Sequence, residues 1–202
     1  MSEPELKKDD CGFKVMGNLD KEKVVFLITP EIYIEQFQRI RFKDKVGEWG
    51  YDAVFCAVSN EETQRIRTME FDDLNMVLGK IYSEMTLFNK SPEITLIALD
   101  ELAVISLMIY LKNYNISKII LLNPVFFPEI AVKLSKVEIP TFILYSGNSK
   151  TPSALSSRKY HDLIAGSSLH NMAGTSREDM LARKTQFFSH LKTFLGDDQE
   201  GT

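Results

Sequence analysis

The sequence predicts an α/β fold with three layers, α/β/α, in which helices cover both faces of a mostly parallel β-sheet. Short runs rich in β-branched residues alternate along the chain with longer segments whose apolar residues repeat at helical spacing. The short runs are mostly apolar and do not alternate with polar residues, which is typical of parallel strands buried on both faces. Strands that alternate with helices form right-handed crossovers, and such crossovers produce a parallel sheet.

Five apolar runs are predicted as the core strands of this sheet, at residues 24–28, 53–58, 94–99, 118–122 and 141–145. A weaker strand is predicted at 12–16, before a turn at 18–21. A short extended piece at 168–169 leads to His170. Asn123-Pro124 and Gly147 follow two of the core strands and are typical of the turns that end a strand.

Helical spacing predicts helices over residues 31–46, 72–88, 101–114, 153–165 and 177–195, and a short helix or turn over 128–136. The last helix is preceded by Thr175-x-x-Glu178, the pattern of a capping box. The sequence contains no internal repeat, low-complexity tract or linker.

The 202 residues are predicted to form one domain over residues 11–196, with flexible tails at 1–10 and 197–202. The apolar fraction of 44% and the charged fraction of 26% are those of a soluble globular protein. A net charge of −4 gives no reason to expect nucleic acid or an anionic membrane as a partner.

The compartment is predicted to be the cytoplasm. The first ten residues are polar, with no apolar segment of a signal peptide, and no apolar run approaches the ~20 residues that span a bilayer. The two cysteines, Cys11 and Cys56, are far apart, and Cys56 lies inside an apolar run. We therefore expect a buried thiol rather than a disulfide.

Candidate site residues follow the predicted strands, because open parallel sheets bind ligands beyond the carboxyl ends of their strands. Thr29, Glu101, Asn123 and Asn148 are the candidate ligand-binding residues at these positions. Asp100, Glu129 and His170 are the candidate catalytic residues.

Several kinds of site are not supported by the sequence. No G-x-G-x-x-G and no P-loop follows a strand, and Thr29-Pro30 stands after the first core strand instead. The three histidines, at 161, 170 and 190, are not spaced as metal ligands, and the cysteines are distant. We therefore expect no cofactor and no metal.

Five segments, in their order and spacing, resemble the α/β-hydrolase fold superfamily from about residue 23 to 195. Gly50-Tyr51-Asp52-Ala53-Val54 resembles the start of its second core strand, and Phe71-Asp72-Asp73-Leu74 the start of the helix before the nucleophile strand. Residues 94–103 resemble that strand and its elbow, usually G-x-S-x-G, and residues 139–147 the strand that delivers the acid. His170 falls where the superfamily keeps its histidine.

The resemblance also implies what this chain has lost. Asp100 stands at the serine position, and Ala98 and Leu102 stand at the flanking glycines. Asn148-Ser149-Lys150 offers no carboxylate at the acid position. Pro30, which has no N–H, stands where relatives build the oxyanion hole.

Each candidate catalytic residue has two interpretations. Asp100 is either the N-cap of the next helix or a nucleophile that forms an ester, as in dehalogenases and epoxide hydrolases. His170 is either the base for that ester or an idle loop residue. Glu129 either orients His170 or is a helix-start carboxylate. Asn123, a candidate ligand-binding residue, is better interpreted as a residue that forms the turn before Pro124 than as a ligand contact.

The first hypothesis is a catalytically degenerate α/β-hydrolase-fold protein that binds a small ligand or a protein partner. The alternative is a small cytosolic hydrolase, of the ester or the halide or epoxide type, with Asp100 as nucleophile and His170 as base. About sixteen residues separate the strands on either side of Glu129, too few for the cap domain of such enzymes. A purely structural subunit is the third class. Whichever holds, Asp100 and His170 are expected close together.

Overall fold

A sheet of seven strands lies at the centre of the described part of the chain. The computed structural model describes residues 13–16, 21–68, 74, 77–79, 81–82, 93–112, 115–148, 150–172 and 179–196. The strands are β1 (Phe13–Met16), β2 (Lys23–Pro30), β3 (Tyr51–Val58), β4 (Glu93–Leu99), β5 (Ile116–Leu122), β6 (Thr141–Ser146) and β7 (Ser168–Met172). The predicted tails at 1–10 and 197–202 lie outside these residues.

The strand order is β1-β3-β2-β4-β5-β6-β7. Strand β1 runs antiparallel to β3, and the other neighbouring pairs are parallel. The five predicted core strands are therefore confirmed, and β7 adds a sixth parallel strand at the edge. Residues 168–169 were expected to be a short extended piece, but the strand continues to Met172 and contains His170.

The helices are α1 (Ile34–Arg39), α2 (Phe42–Glu48), α3 (Asn60–Thr68), α4 (Ala103–Leu111), α5 (Ala131–Leu134), α6 (Pro152–Leu163), α7 (Asp179–Ala182) and α8 (Lys184–Gly196). Short 3-10 turns span Glu31–Tyr33, Asp100–Leu102 and Pro128–Ile130. Residues 74, 77–79 and 81–82 are helical, but most of the helix predicted at 72–88 lies outside the described residues, as does the capping box at 175–178.

Two hydrophobic clusters cover the two faces of the sheet. On one side, which we call the α4 face, α3, α4, α5 and α6 pack against alternate strand residues. On the other side, which we call the α8 face, the helices α1, α2, α7 and α8 pack against the strand residues that alternate with those of the α4 face. Helices on both faces confirm the predicted three-layer architecture.

Two predicted helices are broken in the structure. The helix expected at 31–46 is divided at Arg41, whose φ of 59° lies in the left-handed region and cannot continue a helix. The helix expected at 177–195 is divided between Ala182 and Lys184 into α7 and α8. Periodicity could not show either break, because the apolar residues on both sides of it still face the sheet.

Helix α3 is absent from the sequence prediction, and its composition explains why. Its buried residues are Glu62, Thr63 and Ile66, so it carries one apolar anchor and no apolar stripe. A signal was nonetheless present, since Ser59-x-x-Glu62 is a capping box. The Ser59 hydroxyl accepts a hydrogen bond from the Glu62 backbone N–H at 3.3 Å.

The parallel register fixes where the strand-end residues lie. Leu99 of β4 is paired with Leu122 of β5, Leu122 with Leu144 of β6, and Leu144 with His170 of β7. These four residues form one row across the sheet. Among the described residues, no helix combines the length and the apolar character that a membrane span requires.

Candidate functional site

Asp100 occupies the sharp turn between β4 and α4. It is the first residue of the 3-10 turn Asp100–Leu102, its φ is 55°, and 2% of its surface is exposed. A left-handed backbone is strained for a residue with a Cβ, although aspartate tolerates it better than most. The chain therefore keeps the backbone shape of a nucleophile elbow, with a carboxylate in the serine position.

The structure assigns the N-cap position of this turn to Leu99 rather than to Asp100. The cap residue of the turn is Leu99, and no side chain makes a capping hydrogen bond there. An N-cap residue has an extended backbone, as Leu99 has with φ −103° and ψ 141°, whereas Asp100 is left-handed. Asp100 is therefore the first residue of the helical segment rather than the residue before it.

The residues around Asp100 are packed more tightly than a glycine-flanked elbow would be. Ala98 and Leu102, at the flanking positions, are both fully buried on the α4 face. The carbonyl oxygen of Asp100 accepts a hydrogen bond from the backbone N–H of Val125 at 3.1 Å. The elbow is therefore held both by its own side chains and by the segment that follows β5.

Glu101 forms a buried ion pair beside the elbow. Its side chain is 2% exposed, and its Oε1 accepts a hydrogen bond from Arg67 Nε at 2.7 Å. Arg67 lies at the end of α3 with 47% of its side chain exposed. The pair connects α3 to the elbow. This ion pair could not be predicted from the sequence because helix α3 was not predicted.

The end of β2 offers few hydrogen-bond donors to a ligand. Thr29 is fully buried, and its hydroxyl donates to the carbonyl oxygen of Pro30 at 3.3 Å. Pro30 ends the strand and has no N–H. Pro30 therefore has no backbone N–H with which to stabilise an oxyanion.

Asn123 makes several hydrogen bonds at this edge of the sheet. Its Oδ1 accepts hydrogen bonds from Ser146 N at 2.8 Å, Ser146 Oγ at 3.1 Å and Ser153 Oγ at 2.9 Å. Its Nδ2 lies 3.7 Å from the sulfur of Met180, and its φ is 49°. The buried amide thus joins the ends of β5 and β6 to the starts of α6 and α7.

Asn148 and Glu129, by contrast, lie on the surface. Asn148 is exposed, and its Oδ1 accepts from the Lys150 N–H at 3.0 Å, the geometry of an Asx turn. Glu129 is exposed in the first turn of the 3-10 segment Pro128–Ile130, whose buried Ile130 packs on the α4 face.

His170 was expected to follow the end of a strand, but it lies inside one. It is an interior residue of β7, paired with Leu144, and its ring contacts Phe142 at a centroid distance of 4.9 Å. The ring of His190 on α8 lies 5.4 Å away. Burial, and secondarily the charge of His170, lower the pKa of His190. The His170 ring therefore faces α8, on the other side of the sheet from Ile130 beside Glu129.

The expectation that Asp100 and His170 lie close together is also wrong. Three strand spacings of about 4.8 Å separate Leu99 from His170 in their row, which places their Cα atoms about 14 Å apart. A hydrogen bond needs heavy atoms within about 3.2 Å, and an aspartate and a histidine side chain together do not bridge the rest. Residues 173–178, which follow β7, contain no histidine in the sequence.

The strain at Asp100 gives a direct prediction for stability. Asp100→Gly should be more stable than Asp100→Ala by about 1–2 kcal/mol, because glycine adopts a positive φ without strain and alanine does not. Urea denaturation of both variants measures the difference. If the turn were ordinary helix, the order would be reversed, with alanine more stable by about 1 kcal/mol.

Comparison with known proteins gives matches among solved structures alone, since neither a family model nor a curated protein sequence matches the chain. A predicted CIB-like hydrolase from Thermoplasma acidophilum superposes with a TM-score of 0.74 at 16% identity, covering 95% of this chain and 98% of that chain. An α/β hydrolase from a sediment metagenome of the Mar Chica lagoon, Morocco, gives 0.72 at 13%, with coverage of 96% and 99%. MenH from S. aureus gives 0.71 at 12%, with coverage of 94% and 99%.

At these identities the likeness is one of fold. The chain has the α/β-hydrolase fold over almost its whole length, and over almost the whole length of those proteins. The resemblance inferred from five sequence segments is confirmed at that level.

Proposed function

We propose that this chain is a catalytically degenerate α/β-hydrolase-fold protein, located in the cytoplasm, that acts by binding a small ligand or a protein partner. The observation that carries the proposal is the position of His170. Its ring lies against Phe142 and His190 on the α8 face, and its Cα lies about 14 Å from that of Leu99 by strand spacing. Hydrolysis on this fold requires a base beside the nucleophile, and His170 does not supply one.

The other parts of a hydrolytic site support the same proposal. The chain after β6 has Asn148 in an Asx turn where relatives carry an acid. The end of β2 has Pro30 where an oxyanion donor is needed. A nucleophile without a base, an acid or a full oxyanion hole loses several orders of magnitude in rate.

Polar groups at the carboxyl edge are engaged in holding the fold. The Asn123 carbonyl accepts three hydrogen bonds, and Glu101 is paired with Arg67. These hydrogen bonds stabilise the edge of the sheet. This arrangement favours a role as a stable binding scaffold.

One observation favours a second candidate, a small hydrolase of the ester or the halide or epoxide type. Asp100 retains the left-handed backbone that a nucleophile elbow requires, at φ 55°. In that candidate the Asp100 carboxylate attacks carbon and forms an ester, which water must then hydrolyse. A base for the second step would have to come from a rearrangement, because His170 is three strands away.

An activity assay with isotopic labelling separates the two candidates. We expect hydrolysis of para-nitrophenyl acetate, a chloroalkane and styrene oxide to proceed no faster with the wild-type chain than with Asp100→Asn. In heavy-oxygen water, mass spectrometry of the peptide that contains residue 100 should find no added label. Turnover that Asp100→Asn abolishes, with label entering the Asp100 carboxylate, would establish the hydrolase instead.

A further inference from the structure

Two histidines that the proposed function does not use lie side by side at the β7 edge of the sheet. His170 on β7 and His190 on α8 have ring centroids 5.4 Å apart, with the ring planes at 74°. Phe142 on β6 lies beside both, at 4.9 Å from the His170 ring and 6.4 Å from the His190 ring. His170 is exposed and His190 is partly exposed, so solvent reaches the pair.

The spacing of the two rings matches that of two imidazoles bound to one metal ion. Zinc binds histidine nitrogen at about 2.0–2.1 Å, and with tetrahedral angles the centroids of two bound rings lie about 5.2 Å apart. The observed distance of 5.4 Å is close to this value, and a small rotation of either side chain would remove the difference.

We propose that His170 and His190 together bind a divalent transition-metal ion of the zinc class. Imidazole nitrogen is the ligand that Zn²⁺, Ni²⁺ and Cu²⁺ prefer among neutral side chains. The rigid elements that carry the two rings, a strand of the sheet and the helix packed on it, hold them in place before the ion arrives. The remaining coordination positions face solvent and take water.

The surroundings of the pair are compatible with an added cation. Lys118 lies near Phe194, with its Nζ 5.6 Å from the centroid of that ring. Its ammonium donates to the carbonyl oxygens of Phe194 and Leu195 at 3.3 Å and 3.4 Å, so its charge is directed to the end of α8.

The site is a two-ligand site. Within the described ranges, no three histidine, cysteine, aspartate or glutamate side chains are grouped as metal ligands. Structural and catalytic zinc sites use four and three protein ligands, so we expect weaker binding here. Sequence spacing could not reveal the pair, because positions 170 and 190 become neighbours only when α8 packs on β7.

Calorimetric titration of the full chain with zinc chloride tests the proposal. We expect one ion per chain, and at least a tenfold loss of affinity in His170→Gln and in His190→Gln. His161→Gln is the matched control, because His161 is also exposed but lies on α6, with Nδ1 2.9 Å from Ser167 Oγ. Its affinity for zinc should equal that of the wild type. Equal affinity in all four proteins, or no binding, would overturn the proposal.

A second measurement needs no variant and therefore does not depend on the fold of one. Diethylpyrocarbonate modifies accessible neutral histidines of the wild-type chain, and mass spectrometry locates the products. Zinc chloride should protect His170 and His190 from modification and leave His161 as reactive as before. Unchanged modification of all three histidines would contradict the proposal. Neither result depends on whether Asp100 has hydrolytic activity, so the two proposals fail separately.

Discussion

Replacing Leu102 by glycine should lower the free energy of unfolding by about 4 kcal/mol. The side chain is fully buried in the cluster on the α4 face. Its removal from such a site costs about 2–5 kcal/mol through lost burial and the cavity left behind, and glycine adds about 1 kcal/mol of helix propensity. Urea denaturation of both proteins measures the change. The slope of the unfolding free energy against urea concentration is compared between the two proteins.

Ala98→Gly is the matched control for this experiment. Ala98 is the other flanking residue of the elbow and is also fully buried, but it has one methyl group to lose. We expect a loss of about 1 kcal/mol. A Leu102→Gly variant as mild as Ala98→Gly would show that Leu102 is not packed as the structure has it. The expected difference means that one substitution cannot restore a glycine-flanked elbow without a serious loss of stability.

The sheet could be predicted from the sequence because its strands are buried on both faces. Each of the five core strands contains at most one polar residue, as in residues 24–28 and 118–122. The length of strand β7 was underestimated because this strand is not buried on both faces. It lies at the edge, where His170 and Asn171 are exposed, so its apolar signal ends before the strand does.

The position of His170 followed from that error. A strand that ended at Leu169 would have left His170 in the loop beyond the sheet, where the resemblance to α/β-hydrolases places a histidine. With β7 extended to Met172, His170 becomes an interior strand residue in the row of Leu144. A difference of three residues in one boundary thus decides whether His170 lies in the strand or in the loop beyond it.

The backbone at Asp100 could not be predicted from local sequence. An aspartate between a strand and a helix is typical of an N-cap, and its preference for that position is real. The left-handed φ arises instead from contacts made after folding, among them the hydrogen bond from Val125 N to Asp100 O and the burial of Leu102. The same holds for Asn123, where the turn was predicted but its hydrogen bonds to β6 and α6 were not.

Asn123→Ala should lower the free energy of unfolding by about 3 kcal/mol. The variant leaves the buried N–H of Ser146 without its acceptor, which costs about 1–3 kcal/mol, and also removes the acceptor of the Ser146 and Ser153 hydroxyls. Alanine at φ 49° adds about 1 kcal/mol of backbone strain. Urea denaturation monitored by circular dichroism measures the sum.

Asn123→Gly and Ser153→Ala separate the two contributions. Glycine loses the same hydrogen bonds but not the backbone strain, so it should be about 1 kcal/mol more stable than the alanine variant. Ser153→Ala removes one donor of three and should cost no more than about 1 kcal/mol. A loss below 1 kcal/mol in Asn123→Ala would show that water can replace the amide. The larger loss would identify Asn123 as the residue that holds β5, β6 and α6 together, at the edge where an active hydrolase of this fold keeps its catalytic groups.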